Sequence, residues 1–306
     1  MQYLIHLDDA HRAGVLELVA TATDFDGVPP IAEHVLLHLR HGGDKRDFHI
    51  IICDGPTVIA YAHLDLTDEV EGPSVELVIH PAHRSASHAT DIITKALEVG
   101  GARTRLWSHG DLPESQELAA RNGFVRIRTV IQMRRSLIAA LPTIEASTTI
   151  RTFLPGIDDA EWMALNNETF KNHPDQGGWT QTDLAIRTEE SWFDPSGFFI
   201  ATEKEKMIAF CWTKIHGGHS HSHDGETGHH DHDSIGEIYI MGVHPAYTGK
   251  NLGKAVTLTG LRYLRQRGNL SAMLYVDSDN ESALHLYKSL GFTESGRDVM
   301  YRLGDR

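Results

Sequence analysis

The sequence is poor in several features that would place it in a special class. Cysteine occurs only twice in 306 residues, at Cys53 and Cys211. Both lie in apolar, strand-like runs, which argues for buried core thiols over a disulfide or a catalytic thiol. Apolar runs such as Ile50-Ile51-Ile52-Cys53 are far short of the roughly 20 residues that cross a bilayer. The opening Met1-Gln2-Tyr3-Leu4-Ile5-His6 lacks the basic and apolar regions of a secretory signal, so a cytoplasmic location is expected. Cationic side chains are also scarce: 28 Lys and Arg stand against 42 Asp and Glu, for a formal charge of −14. That balance disfavours nucleic acid and membrane partners and suits a cationic small molecule. A hydrophobic share of 41% and a charged share of 23% describe a globular chain, long enough for two ordinary domains.

The chain repeats itself. Val75-Glu76-Leu77-Val78-Ile79-His80-Pro81-Ala82 leads into a helical stretch to about Gly100, a strand over 104–108, a helix over 113–122, and Gly123-Phe124. Ile238-Tyr239-Ile240-Met241-Gly242-Val243-His244-Pro245-Ala246 leads in the same order into a helix to about Arg267, a strand over 272–277, a helix over 280–290, and Gly291-Phe292. The His-Pro-Ala landmarks lie 164 residues apart and the Gly-Phe landmarks 168, which points to tandem duplication. Each half also begins alike, with a strand (3–6; 149–153) and a helix that Asp8 or Asp158 is placed to cap. Alternating strands and helices predict two tandem α/β domains, each a mixed central sheet flanked by helices. The expected boundaries are 1–140 and 149–306, with a linker over 141–148.

Two segments of the second half carry chemistry. In Thr248-Gly249-Lys250-Asn251-Leu252-Gly253-Lys254 an apolar strand gives way to a Gly- and Asn-bearing turn and then a helix. Small residues let successive amides point at an anion, and the helix dipole adds to the attraction; taken alone, this is equally an ordinary strand-to-helix loop. Downstream, Asn280-Glu281-Ser282-Ala283-Leu284-His285-Leu286-Tyr287 and Gly291-Phe292 place Asn280, Ala283 or Leu284, and Tyr287 on one helix face. Together these segments resemble motifs A and B of the GCN5-related N-acetyltransferases, the match to motif B being complete. In motif A, Thr248 replaces a basic or amide residue and Asn251 a glycine, a turn that Asn tolerates. The resemblance implies an acetyl-coenzyme A-dependent acyltransferase with tandem domains of that family's fold.

Acetyl transfer to an amine needs a base for the ammonium, a dipole for the thioester carbonyl and an acid for the leaving thiolate. Glu237 is the candidate base, on a strand where alternation gives it the side-chain parity of Tyr239, Met241 and Val243; the alternative is a solvated strand-edge glutamate. Backbone amides of Met241, Gly242 and Val243 are the candidate dipoles. Tyr287 is the candidate acid, or else a helix aromatic packed on the core. At the repeat offsets Ala119 stands for Tyr287 and Pro73 for Glu237, so catalysis is expected in the second half and the first is expected to be degenerate.

Over nearly the whole chain the resemblance narrows to the actinobacterial tandem branch, whose members acetylate the cysteinyl amine of cysteinyl-glucosaminyl-inositol. It rests on the tandem order and on Gly236-Glu237-Ile238-Tyr239, Leu274-Tyr275-Val276-Asp277 and His173-Pro174-Asp175-Gln176-Gly177-Gly178-Trp179. By position it implies substrate contacts at Glu33, Asp175, Lys214, Glu237 and Tyr275. It implies coenzyme contacts at Met241 to Val243, Thr248 to Lys254 and Asn280 to His285. In the first half these fall on Leu77, Val78 and Ile79, and on Ser85, Ala86, Ser87, His88, Ala89 and Thr90. A monomer using acetyl-coenzyme A and a small amine, with no metal required, is the expectation. Another amine (an aminoglycoside, a polyamine, a protein N-terminus) and a sensor without turnover remain as alternatives. His216, His219, His221, His223, His229, His230 and His232 make a Gly-, Ser- and Asp-rich run, a departure from the family that reads as a disordered loop with adventitious metal affinity or a lid.

Overall fold

The computed structural model describes residues 1–42, 46–68, 72–84, 86–143, 148–173, 176–216 and 234–304. The chain forms two units: unit 1 is Met1–Ile131 with Gly296–Arg306, and unit 2 is Gln132–Ser295.

Unit 1 contains β1 (Gln2–Leu4), α1 (Asp9–Asp26), α2 (Glu33–His41), β2 (Asp47–Asp54), β3 (Thr57–Asp65), β4 (Ser74–Ile79), α3 (Ala86–Gly100), β5 (Arg105–Ser108) and α4 (Pro113–Arg121). After β6 (Phe124–Ser136), which passes the division at Ile131, unit 2 repeats the order: β7 (Thr149–Thr152), α5 (Asp159–Thr169), α6 (Gln181–Glu189), β8 (Phe198–Glu203), β9 (Lys206–His216), β10 (Ile235–Val243), α7 (Leu252–Gln266), β11 (Ser271–Asp277) and α8 (Glu281–Ser289). The last strand, β12 (Thr293–Leu303), pairs antiparallel with β5 from Val299↔Ser108 to Arg302↔Arg105, and from Gly296 onward it belongs to unit 1. The two units divide after Ile131 and again before Gly296.

Within unit 1 the strand order is β1-β2-β3-β4-β5-β12, and within unit 2 it is β6-β11-β10-β9-β8-β7. The first four strands of each repeat are antiparallel neighbours. The parallel steps are short. β4 meets β5 over Ser74–Glu76 and β10 meets β11 over Ile235–Glu237, after which the paired registers end.

Period-two patterning builds the core. In β2, Ile50 and Ile52 face the α3 side with Ile92, Ile93 and Ala96, while Ile51 faces the α1 side with Val15, Leu18 and Val35. Unit 2 buries an aromatic cluster instead. Phe198 stacks between Phe153 (4.3 Å) and Trp212 (4.6 Å), and Trp162 meets all three rings edge-on. Asp8 caps α1 as expected, accepting from the His11 amide at 2.8 Å. Asp158 does not cap α5. Its carboxylate takes the Arg151 guanidinium (2.5 and 2.9 Å) and the Leu154 amide (2.8 Å), a charge-assisted pairing that outcompetes a neutral cap.

Candidate functional site

The site begins with an irregularity in β10. β9 and β10 stay in register from Ile235↔His216 to Ile238↔Thr213 and then slip, so that Ile240 faces Trp212 and Tyr239 is the extra residue. A bulge of this kind reverses the alternation beyond it. Glu237, Lys214, Ile240 and Trp212 share one face, where Trp212 and Ile240 join the cluster of Trp162, Leu165 and Leu184 from α5 and α6. Met241 and Val243 lie on the other face, against α7, where a Cβ on Gly253 would meet Val243 at 3.5 Å and Met241 at 3.6 Å. The expected common parity of Glu237 with Met241 and Val243 is thus corrected by the bulge. Tyr239, packed on Trp192 (5.1 Å) and Trp212 (5.3 Å), stays on the side of Glu237.

Glu237 is only 6% exposed. Its Oε2 lies 2.5 Å from His216 Nε2 at the end of β9. Directly across the strand pair, the Lys214 ammonium sits 4.5 Å from the Trp192 ring centre and 5.4 Å from that of Tyr239, within cation–π range. Arg187 Nε donates to the Tyr239 hydroxyl at 3.0 Å. A buried carboxylate coupled to a half-buried imidazole can take a proton from an ammonium and pass it outward. His216 also heads the histidine run of the sequence. The run's spacing hid its pairing with Glu237, which depends on strand register.

Beyond Glu237 the pairing of β10 with β11 has ended, so Met241 to Val243 have no β11 partner on that side among the described residues. That gap is where backbone amides are available to a carbonyl oxygen. Gly242 has no space for a side chain, since a Cβ there would lie 2.6 Å from the Phe210 ring. The turn that follows survives its substitutions. Gly249 has φ 79° and Asn251 φ 59°, both left-handed. Asn251 occupies the N-cap of α7 without a side-chain cap bond, which leaves the first amides of the helix to an anion such as a pyrophosphate. The Thr248 hydroxyl donates to Pro245 O at 3.1 Å. The Lys250 ammonium rests 4.6 Å from the Tyr247 ring centre.

In α8, Asn280 is the N-cap, its Oδ1 accepting from the Ala283 amide at 3.1 Å, while Glu281, Ser282 and His285 are exposed. Tyr287 is 6% exposed and packs on Phe292, ring centres 5.9 Å apart. Its hydroxyl makes no hydrogen bond among the described residues. Burial pushes its pKa well above the ordinary value, so the group stays protonated and able to donate.

Among the described residues, unit 1 carries different side chains at the matching positions. Ala119, in the place of Tyr287, is a core residue at 1% exposure. Matching Ile79↔Ala60 with Val243↔Ala209 and allowing for the bulge puts Ser74, opposite Asp65, where unit 2 has Glu237 opposite Lys214. The residue expected from sequence offset alone was Pro73; neither is a base. Val78 and Ile79 are buried and Leu77 half-buried in β4, and Ala89 is packed in the core, whereas Ser87 and Thr90 are exposed on α3. Arg84, in the place of Thr248, is held by Asp26 in a two-pronged pair (2.8 and 2.5 Å). Ser85 and the side chain of Ala86 lie outside the described residues, as do Asp175 and residues 217–233. Glu33 begins α2 in unit 1 and Tyr275 is on β11, 42% exposed, accepting from Gln132 Nε2 at 2.9 Å.

Residues 160–292 match the acetyltransferase (GNAT) family model. The chain is 48% identical to a mycothiol acetyltransferase of Acidothermus cellulolyticus over 95% of its own length and 90% of the relative's. The chain belongs to the mycothiol acetyltransferase family. Within this family it is also 44% identical to the protein of Streptosporangium roseum (97% of each chain) and 41% identical to that of Mycobacteroides abscessus (96% and 97%). Among solved structures, a tandem GNAT protein from the clavulanic acid biosynthesis pathway superposes with TM-score 0.70 at 17% identity, covering 100% and 99% of the two chains. A GCN5-related N-acetyltransferase of Sphaerobacter thermophilus gives 0.66 at 20%, covering 98% and 95%. These two likenesses show the fold: two tandem GNAT domains. The protein is an acetyl-coenzyme A-dependent N-acetyltransferase.

Proposed function

We propose that the protein acetylates the cysteinyl amine of 1D-myo-inositol 2-(L-cysteinylamino)-2-deoxy-α-D-glucopyranoside, the last step of mycothiol biosynthesis, and that unit 2 performs the reaction. The observation that carries this reading is full-length identity of 41–48% to relatives named for that activity. The contrast between the two units supports the assignment of chemistry to the second.

In unit 2, Glu237 with His216 removes a proton from the acceptor ammonium. The freed nitrogen attacks the thioester carbonyl carbon, whose oxygen is met by amides of Met241 to Val243. The C–S bond breaks, the departing thiolate takes the Tyr287 proton to give coenzyme A as the free thiol, and the second nitrogen proton, lost as the amide forms, restores the Tyr287 hydroxyl. The amides of the 248–254 turn and the start of α7 hold the pyrophosphate, with the Asn280 to His285 segment beside the coenzyme. Lys214 and Tyr275 contact the acceptor; Lys214 and the Trp192–Tyr239 pair form the wall next to the base. Unit 1, from Leu77–Ile79 to Ser85–Thr90, retains at most a coenzyme-holding role.

The test is acetyl transfer to cysteinyl-glucosaminyl-inositol measured beside an aminoglycoside, spermidine and a peptide N-terminus. The expected result is a kcat/KM for the first at least 100-fold above the others. Comparable values, or transfer to another amine alone, would overturn the acceptor assignment.

A further inference from the structure

We propose that unit 1 contains a divalent transition-metal site built by His38, Asp47 and His63. The three ligand atoms lie within 4.8 Å of one another. His38 Nδ1 is 2.8 Å from Asp47 Oδ2, and His63 Nε2 is 3.7 Å from the same oxygen. Spacings of this size accommodate a central ion about 2 Å from each ligand.

The cluster lies well inside the fold. Asp47 and His63 are each 1% exposed, and His63 Nε2 is buried without a hydrogen-bond partner. Burying such groups is costly unless something binds them. The fold itself does not require them. Across the sheet, His49↔His63↔Glu76 forms one cross-strand row, and the corresponding row of unit 2 is Phe198↔Trp212↔Ile240, which is apolar. A further imidazole, His49, has its ring centre 5.8 Å from that of His63.

Two imidazoles and one carboxylate suit zinc, cobalt(II) or iron(II) and not calcium or magnesium, which take oxygen ligands. The ligands come from α2, β2 and β3, so an ion would tie the α2 helix to the sheet. His38, with a side chain 29% exposed, provides the entrance and leaves a coordination position for water.

The test uses the full chain carrying His219, His221, His223, His229, His230 and His232 replaced by Asn, so that the histidine run cannot compete. After chelation this parent is titrated with Co2+, followed by visible absorption, then with Zn2+. One Co2+ per chain with the absorption of a low-coordinate N/O site, its displacement by Zn2+, and a Tm rise of several degrees with Zn2+ would support the site. His38→Gln, at the accessible rim, should fold normally and bind at least tenfold more weakly; His63→Gln should do the same. Failure of the parent to bind stoichiometrically, or unchanged affinity in a folded His38→Gln, overturns the proposal.

Discussion

The most informative perturbation is Tyr287→Phe. The ring would keep its place against Phe292, and the hydroxyl has no hydrogen bond to lose among the described residues. Removing an unbonded buried hydroxyl is close to neutral for folding, so stability should change by no more than about 0.5 kcal/mol. A proton donor in the transition state contributes ~100- to 10,000-fold, or about 3–5 kcal/mol of barrier. The two effects therefore differ by several-fold and are separable in one variant. The assay is single-turnover transfer, with acetyl-coenzyme A and coenzyme A separated chromatographically because the acceptor carries its own thiol. A second acyl donor with a more acidic leaving thiol should recover much of the loss, since its thiolate departs without protonation. The reasoning is refuted by a loss under about fivefold, or by an equal loss with both donors, which would make Tyr287 a packing residue.

Other changes probe other parts. Glu237→Gln should lower kcat/KM by at least about 100-fold, while His216→Gln should lower it by less than Glu237→Gln does; an unchanged rate would dissociate His216 from the base. His109 lies half-buried between Glu76 (3.1 Å) and Asp298 (3.3 Å). Burial opposes its charge, but Glu76 and Asp298 prevail and raise its pKa from 6.5 to about 10, while Glu76, despite burial, is lowered from 4.5 to about 2 by His109 and His34. The stability supplied by His109 is complete below pH 6.5 and lost as pH rises toward 10; that from Glu76 is complete above 4.5 and lost as pH falls toward 2. Melting curves from pH 6 to 10 should thus decline by at most about 1.4 kcal/mol per pH unit from this group, and His109→Gln should flatten that decline. Trp162→Ala, at 0% exposure among five aromatic rings, should cost about 3–5 kcal/mol in denaturant unfolding.

What the sequence disclosed was local. The Asn280-to-Phe292 segment with its helix and the turn before α7 are each written in residues close along the chain, and their spacing survives into three dimensions. What it concealed depends on register. The bulge at Tyr239 adds one residue and reverses a face, which no alternation rule applied to β10 alone could detect. The same shift moved the counterpart of Glu237 from Pro73 to Ser74. His216 meets Glu237 only because β9 and β10 pair. The cluster of His38, Asp47 and His63 has no motif spacing, since α2, β2 and β3 each donate one member. Asp158 shows the converse: its position before a helix was correctly read, but Arg151 claimed its carboxylate.

The assignment of Gly296 onward to unit 1 has a consequence for biosynthesis. The outer edge of β5 stays uncovered while all of residues 132–295 are made, because the strand that pairs with it is translated only afterwards. Unit 1 thus waits on a closure of very long sequence separation, a slow step that leaves a strand edge open to other chains. Fragments ending near residue 140 would carry that open edge permanently. Expressing the halves separately should therefore yield an aggregation-prone first half, and supplying residues 293–303 as a peptide should restore its solubility.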